Sequence, residues 1–150
     1  MLICSDASWR QLLRVLASSS PGVERVAYLD GVRTPAGDGV VTTVTVPHAE
    51  QSAGHFTVAA HEMSRAGAHL RTNGLVRLAQ VHTHPGSDVR HSKTDDARAY
   101  SQRNGAVSIV LAWHASGDPW PTDGAVHVRE DDGWRRLEPS EASKIGRAHV

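Results

Sequence analysis

Residues 80–96 read Gln-Val-His-Thr-His-Pro-Gly-Ser-Asp-Val-Arg-His-Ser-Lys-Thr-Asp-Asp, and the metal-binding side chains in that stretch recur at spacings that make sense together. An apolar run over 75–81 leads into His82-Thr83-His84. Pro85-Gly86 stops it, because proline cannot donate to a strand ladder and glycine frees the turn. Histidines at i and i+2 on a strand project from one face, so both imidazoles can reach a single ion. Ser92 follows, with seven residues between it and His84. Ser92-Lys93-Thr94-Asp95 reads as a helix start, with Ser92 as N-cap and Asp95 at the third helical position. Two neutral nitrogens and one carboxylate, with no fourth protein ligand in sight, suit a catalytic zinc site, which keeps one position open for water. Either half of the pattern alone is common on surfaces and at caps; the two together are far more specific.

Competing signatures fit less well. A zinc deaminase needs a downstream cysteine pair, and Cys4 is the only cysteine. A large amidohydrolase barrel does not fit in 150 residues. A cupin-like jelly roll could use His82, His84 and Asp88, but needs strands where helical patterns stand.

The sequence His-Thr-His-Pro, seven residues, then Ser-x-x-Asp resembles the JAMM motif of the JAB/MPN metalloprotease family. The resemblance implies an MPN/JAB fold, similar to a cytidine deaminase-like architecture. It implies Zn2+ held by His82, His84 and Asp95, and a peptidase or isopeptidase acting on ubiquitin or ubiquitin-like tails. Members also carry an upstream glutamate in a segment resembling Glu-x-x-Gly-Leu-Leu-x-Gly. Residues 24–31 match it in outline, with Ala27 in place of the glycine and Tyr28 in place of a leucine, which makes Glu24 the expected general base. Length leaves little room for the insertions that grip a distal ubiquitin. The chain therefore looks like stand-alone bacterial members found beside ubiquitin-activating-like and conjugating-like proteins, which would be its partners along with a ubiquitin-like protein. Two alternatives stand: a non-catalytic scaffold of the same fold, whose members usually lose zinc ligands, and a hydrolase of small-molecule or sulfur-carrier conjugates.

These residues must be positioned by the rest of the chain, which reads as one domain over 1–138, α+β or mixed α/β, with a tail over 139–150. A short strand over 2–4 precedes a helix capped by Ser5 or Asp6, with Trp9, Leu12, Leu13 and Leu16 at core spacing; 18–22 end it. Strands are expected over 23–32, with Glu24 at the start, and over 40–46. Residues 47–54 read as a polar loop holding His48 and Glu50, followed by His55; none is assigned as a ligand. A helix is expected from Thr57 to Thr72 with Ala59, Met63, Ala66 and Leu70 buried. On it His61 and Glu62 fail to make His-Glu-x-x-His because of Arg65, and Glu62 is the alternative acid/base residue. The helix from Ser92 should reach Asn104-Gly105, with His91 exposed or near substrate. A central strand over 106–113, a Pro/Gly-rich loop over 117–124 and a hairpin around Asp131-Asp132-Gly133 complete the pattern.

Sixteen Lys and Arg balance sixteen Asp and Glu, so bulk charge recommends neither nucleic acid nor a membrane surface as partner. The lone cysteine and the absence of a leader-like N-terminus point to the cytoplasm. Residues 144–150 resemble a translated sequencing-library adapter and are set aside from the fold. The chemistry then follows: Glu24 moves the proton of the attacking water, and the Ser92 hydroxyl hydrogen-bonds the oxyanion.

Overall fold

In the computed structural model, which describes residues 1–17, 22–51 and 56–148, an eight-stranded mixed sheet forms the centre. The strands are β1 (Leu2–Ser5), β2 (Val26–Arg33), β3 (Gly39–Thr45), β6 (Val76–Thr83), β7 (Val107–Leu111), β8 (Ala125–Glu130), β9 (Gly133–Arg136) and β10 (Ile145–Ala148). Their order is β10-β1-β3-β2-β6-β7-β8-β9. A separate hairpin pairs β4 (Ala49–Gln51) with β5 (Phe56–Val58). The helices are α1 (Asp6–Ala17), α2 (Ala60–Thr72), α3 (Lys93–Arg98) and α4 (Pro139–Ala142).

The register sorts the sheet into two faces. Ala27, Val81, Ile109 and Val126 lie opposite one another along successive strands, so they share a face. That face packs on Trp9, Leu12, Leu13 and Leu16 of α1, whose first turn is capped by the Ser5 hydroxyl accepting the Ser8 N–H at 3.2 Å. The neighbouring rows point the other way: Val26 beside His82, and Tyr28, Gln80, Ser108 and His127 in line. The metal motif therefore opens on the second face. There Val26, Tyr28 and Phe56 form a smaller apolar cluster with Met63 and Tyr100.

Glycine is required at Gly31, where β2 breaks register with β3. A Cβ there would lie 1.9 Å from the Val40 carbonyl oxygen.

Several sequence expectations are corrected. Thr57 does not open a helix: Phe56–Val58 extends as β5, and α2 starts at Ala60. Aromatic and β-branched residues there favour pairing with residues 49–51, which are strand rather than loop. The stripe on α2 is shallower than its spacing suggests, with Leu70 buried and Ala59 exposed. The α3 helix stops at Arg98 because Ala99 is extended (ψ 147°). Tyr100 is drawn into the second-face cluster, its ring edge-on to Tyr28 and its N–H donated to Gln80 Oε1 at 3.2 Å. Residues 144–150, set aside above, include β10, which runs parallel to β1 with Leu2 opposite Ile145. The expected helix end at 18–22 falls mostly, and Gly54, His55, His149 and Val150 fall wholly, outside the described residues.

Candidate metal centre

β6 delivers two of the ligands. His82 lies in the ladder between Val26 and Val110, and its side chain is fully buried. His84 stands just past the strand end, with its backbone N–H still donated to the Leu111 carbonyl at 2.9 Å. Asp95 comes from the first turn of α3. Its Oδ2 accepts the Ser92 N–H at 2.7 Å while its own N–H donates to Ser92 Oγ at 3.1 Å, the reciprocal cap expected from Ser-x-x-Asp. One ligand atom from each of His82, His84 and Asp95 lies within 4.8 Å of the others, and among the described residues this is the one such group.

Three observations fit these residues to a metal ion. The Nε2 atoms of His82 and His84 each stand 3.5 Å from an Asp95 oxygen. That is long for a hydrogen bond but close to the roughly 3.4 Å between ligands bonded at about 2.1 Å around a tetrahedral ion. Second, His84 Nδ1 is 2.7 Å from the Asp88 backbone carbonyl. A carbonyl only accepts, so Nδ1 carries the proton and the Nε2 lone pair is left for a metal. Third, both ring nitrogens of His82 are buried without a hydrogen-bond partner, a costly state for an imidazole unless something else binds it.

The charges agree. Burial pulls His82 below the ordinary histidine range and keeps it neutral, as a ligand must be. Burial also pulls on His84, but Asp95, the Asp88 carbonyl and Glu24 outweigh it and raise it. Burial pushes Asp95 up, yet the two histidines and the Ser92 N–H prevail and hold it well below the usual carboxylate range.

Glu24 sits just before β2 rather than inside it, and is buried. It lines, with His84, Pro85, Gly86, His91 and Ser92, an open cleft of about 450 Å³. Burial raises its carboxyl, the His84 charge lowers it and Asp95 raises it again, a net shift toward the range where a carboxylate serves as base. Glu62, the alternative base, is held on α2 by Arg65 at 3.0 Å and stands outside that lining. His48 and Glu50 join no metal-capable group among the described residues. Asp88 contributes its carbonyl; its carboxylate is gripped by Arg90 at 2.7 Å.

The loop between the ligands is braced from β7. Trp113, His114 and Ala115 adopt left-handed backbone angles (φ 51°, 53° and 60°). Each costs an L-residue roughly 1–2 kcal/mol. In return the Trp113 and His114 N–H groups reach the Gly86 and His84 carbonyls at 3.1 and 3.0 Å.

Residues 6–134 match the family model for prokaryotic homologs of the JAB domain. The chain belongs to that family. Within it, 54 residues are 44% identical to the probable metalloprotease y4jG of Sinorhizobium fredii, a match covering 36% of this chain and 33% of that relative. The JAB fold is also that of solved structures. A protein from Desulfitobacterium hafniense superposes with a TM-score of 0.71 at 23% identity, over 92% of this chain and 90% of the other. A JAB1/MPN domain protein from Archaeoglobus fulgidus gives 0.53 at 17% identity, over 92% of both. Among the described residues no helix is long and apolar enough to cross a membrane.

The sequence reading missed one group around the JAB site. His91 lines the cleft, in keeping with the expectation of a place near substrate, but its side chain is only 4% exposed and contacts Ser108, His127, Asp96 and Trp134. A signal was present: Ser108 and His127 interrupt the apolar runs 106–111 and 125–128, and polar residues at such positions face a partner.

Proposed function

We propose that this JAB-family chain is a zinc-dependent peptidase or isopeptidase that hydrolyses the bond after the C-terminal tail of a ubiquitin-like protein. The observation that carries the reading is that His84, one of the group His82, His84 and Asp95, lines an open cleft together with Glu24 and Ser92. The family and the probable metalloprotease relative support the hydrolytic class. The tail substrate, a cytoplasmic setting, and activating-like and conjugating-like partners rest on the JAMM resemblance.

His82, His84 and Asp95 would hold zinc, which when bound would supply Lewis acidity and lower the pKa of water toward about 7. Glu24, raised by burial, takes the proton of the attacking water on a carboxylate oxygen and returns a proton to the leaving amine. Ser92 uses its oxygen to accept the Asp95 N–H, which leaves its hydroxyl hydrogen free to donate to the developing oxyanion. Asp95 divides its oxygens: Oδ2 answers the Ser92 N–H, and Oδ1 faces His82. The His84 ring is held against rotation by its bond to the Asp88 carbonyl. A scaffold role needs none of this arrangement.

The test uses zinc-loaded protein and a ubiquitin-like protein encoded nearby, fused through its tail to a reporter. Wild type should release the reporter, and metal analysis should give about one zinc per chain. Glu24→Gln keeps side-chain size but removes basicity. It should retain zinc and folding while losing at least about 100-fold in turnover. Zinc-loaded wild type that cleaves no tail-linked substrate would sink the isopeptidase reading. Normal turnover in Glu24→Gln would move the base elsewhere.

A further inference from the structure

His91 precedes Ser92 and lines the cleft, yet its side chain is only 4% exposed. Both of its nitrogens are occupied. Nδ1 lies 2.9 Å from Asp96 Oδ1, and Nε2 lies 2.9 Å from Ser108 Oγ. A carboxylate only accepts, so Nδ1 donates to Asp96, and in the neutral ring Nε2 accepts from the Ser108 hydroxyl. The ring stacks on His127 at 4.1 Å between centroids, meets Trp134 at 5.0 Å, and stands 5.8 Å from the His82 ring.

The order Asp96, His91, Ser108 is that of a nucleophilic triad, but it is not a second hydrolase site. Ser108 lies within β7 with no exposed surface, so no substrate carbonyl can reach its oxygen. The bridge instead ties together three pieces of chain. It joins the loop that follows His84, the first turn of α3 and the central strand β7. The α3 helix has six residues, too few to hold its own shape, and it carries Asp95. Asp96 is the next residue along, so whatever fixes Asp96 also fixes the backbone that aims Asp95.

We propose that His91 is a positioning residue: by bridging Asp96 to Ser108 it anchors the α3 first turn to the sheet, and so sets how tightly His82, His84 and Asp95 hold their metal. The inference rests on the metal-site reading but on nothing about the substrate.

The experiment measures zinc affinity by competition with a chromophoric chelator, beside the melting temperature of the metal-free protein. His91→Phe keeps the ring volume and its stack on His127 but removes both hydrogen bonds. It should weaken zinc binding by about 10- to 100-fold, the usual cost of losing support behind a ligand. Asp96→Ala should do the same, and the double variant should be no weaker than the worse single one, because both break one bridge. His91→Asn, whose amide can still donate to Asp96 but is too short to reach Ser108, leaves the bridge broken and should stay about as weak as His91→Phe; recovery to wild-type affinity would overturn the bridge. His91→Phe binding zinc as tightly as wild type would overturn the role and leave His91 as filler. So would losses in the two single variants that simply add. Wild type that takes up no zinc would overturn the metal site itself, a different result from either.

Discussion

On one face of the sheet, α1 lays Trp9, Leu12, Leu13 and Leu16 on a row of Ala, Val, Ile and Leu, and the one polar tip involved, Trp9 Nε1, donates to the Pro119 carbonyl at 2.8 Å. On the other face the same strands present Gln80, His82, Ser108 and His127, all buried. There His82 leaves both nitrogens unpartnered, and His127 is pulled down to about 3 by burial and by the nearby His91, His82 and Arg136. The first face gains stability from dry packing; the second carries polar groups whose burial costs stability without a ligand. Alternation along a strand lets one set of residues do both, since neighbours in sequence face opposite ways. The site is therefore expected to be separable from the core that supports it.

The sharpest way to break that separation is His82→Leu, similar in volume but apolar. Metal binding should vanish. In the presence of chelator, urea unfolding should show the variant at least as stable as wild type, since an unpartnered buried polar group costs about 1–3 kcal/mol. A clear loss of metal-free stability would mean that the histidine supports the fold. The matching change on the other face is Leu12→Ala, at a fully buried position. It should cost about 2–5 kcal/mol, while the protein that remains folded binds zinc as before. A drop in zinc affinity at full folding would show the two faces to be coupled.

Ser92→Ala is smaller in stability and tests whether one hydroxyl serves both fold and site. Loss of the cap should cost about 1 kcal/mol. Turnover should fall by about 100-fold or more if the hydroxyl also meets the oxyanion. Equal, small losses in melting and rate would reduce it to a cap. The smallest effect belongs to Cys4 on the apolar face, whose thiol burial, and then Asp6, push up to about 11. The native protein should resist alkylation at pH 8, with labelling only on unfolding. The sign follows from a folded value above the unfolded one. The associated stability is complete below about pH 9 and is lost as pH rises toward 11, a loss that Cys4→Ala should remove.

What the sequence disclosed was what is local. His82 and His84 are paired by strand alternation and Asp95 is set by its cap with Ser92, so each half of the group is read locally, while the loop that joins the halves is held by residues 113–115. The α1 stripe was equally legible, because helix periodicity needs no partner to be read. Tertiary contacts decided the rest. Tyr100 leaves the helix pattern to meet Tyr28, which lies far upstream. Thr57 leaves its helix pattern for a hairpin, which places the ring of neighbouring Phe56 5.3 Å from that of His82. The partner of β10 lies at the opposite end of the chain. The bridge made by His91 was not legible because its partners, Ser108 and His127, come from strands that follow it in sequence.

The left-handed turn at residues 113–115 gives the metal loop a built-in reporter. The His114 amide is committed to the carbonyl of His84 itself, so its proton can exchange with deuterated water only when the loop lets go. Slow exchange at that one amide measures how rarely the loop opens, and the ratio with and without metal gives the free energy by which the ion keeps it closed.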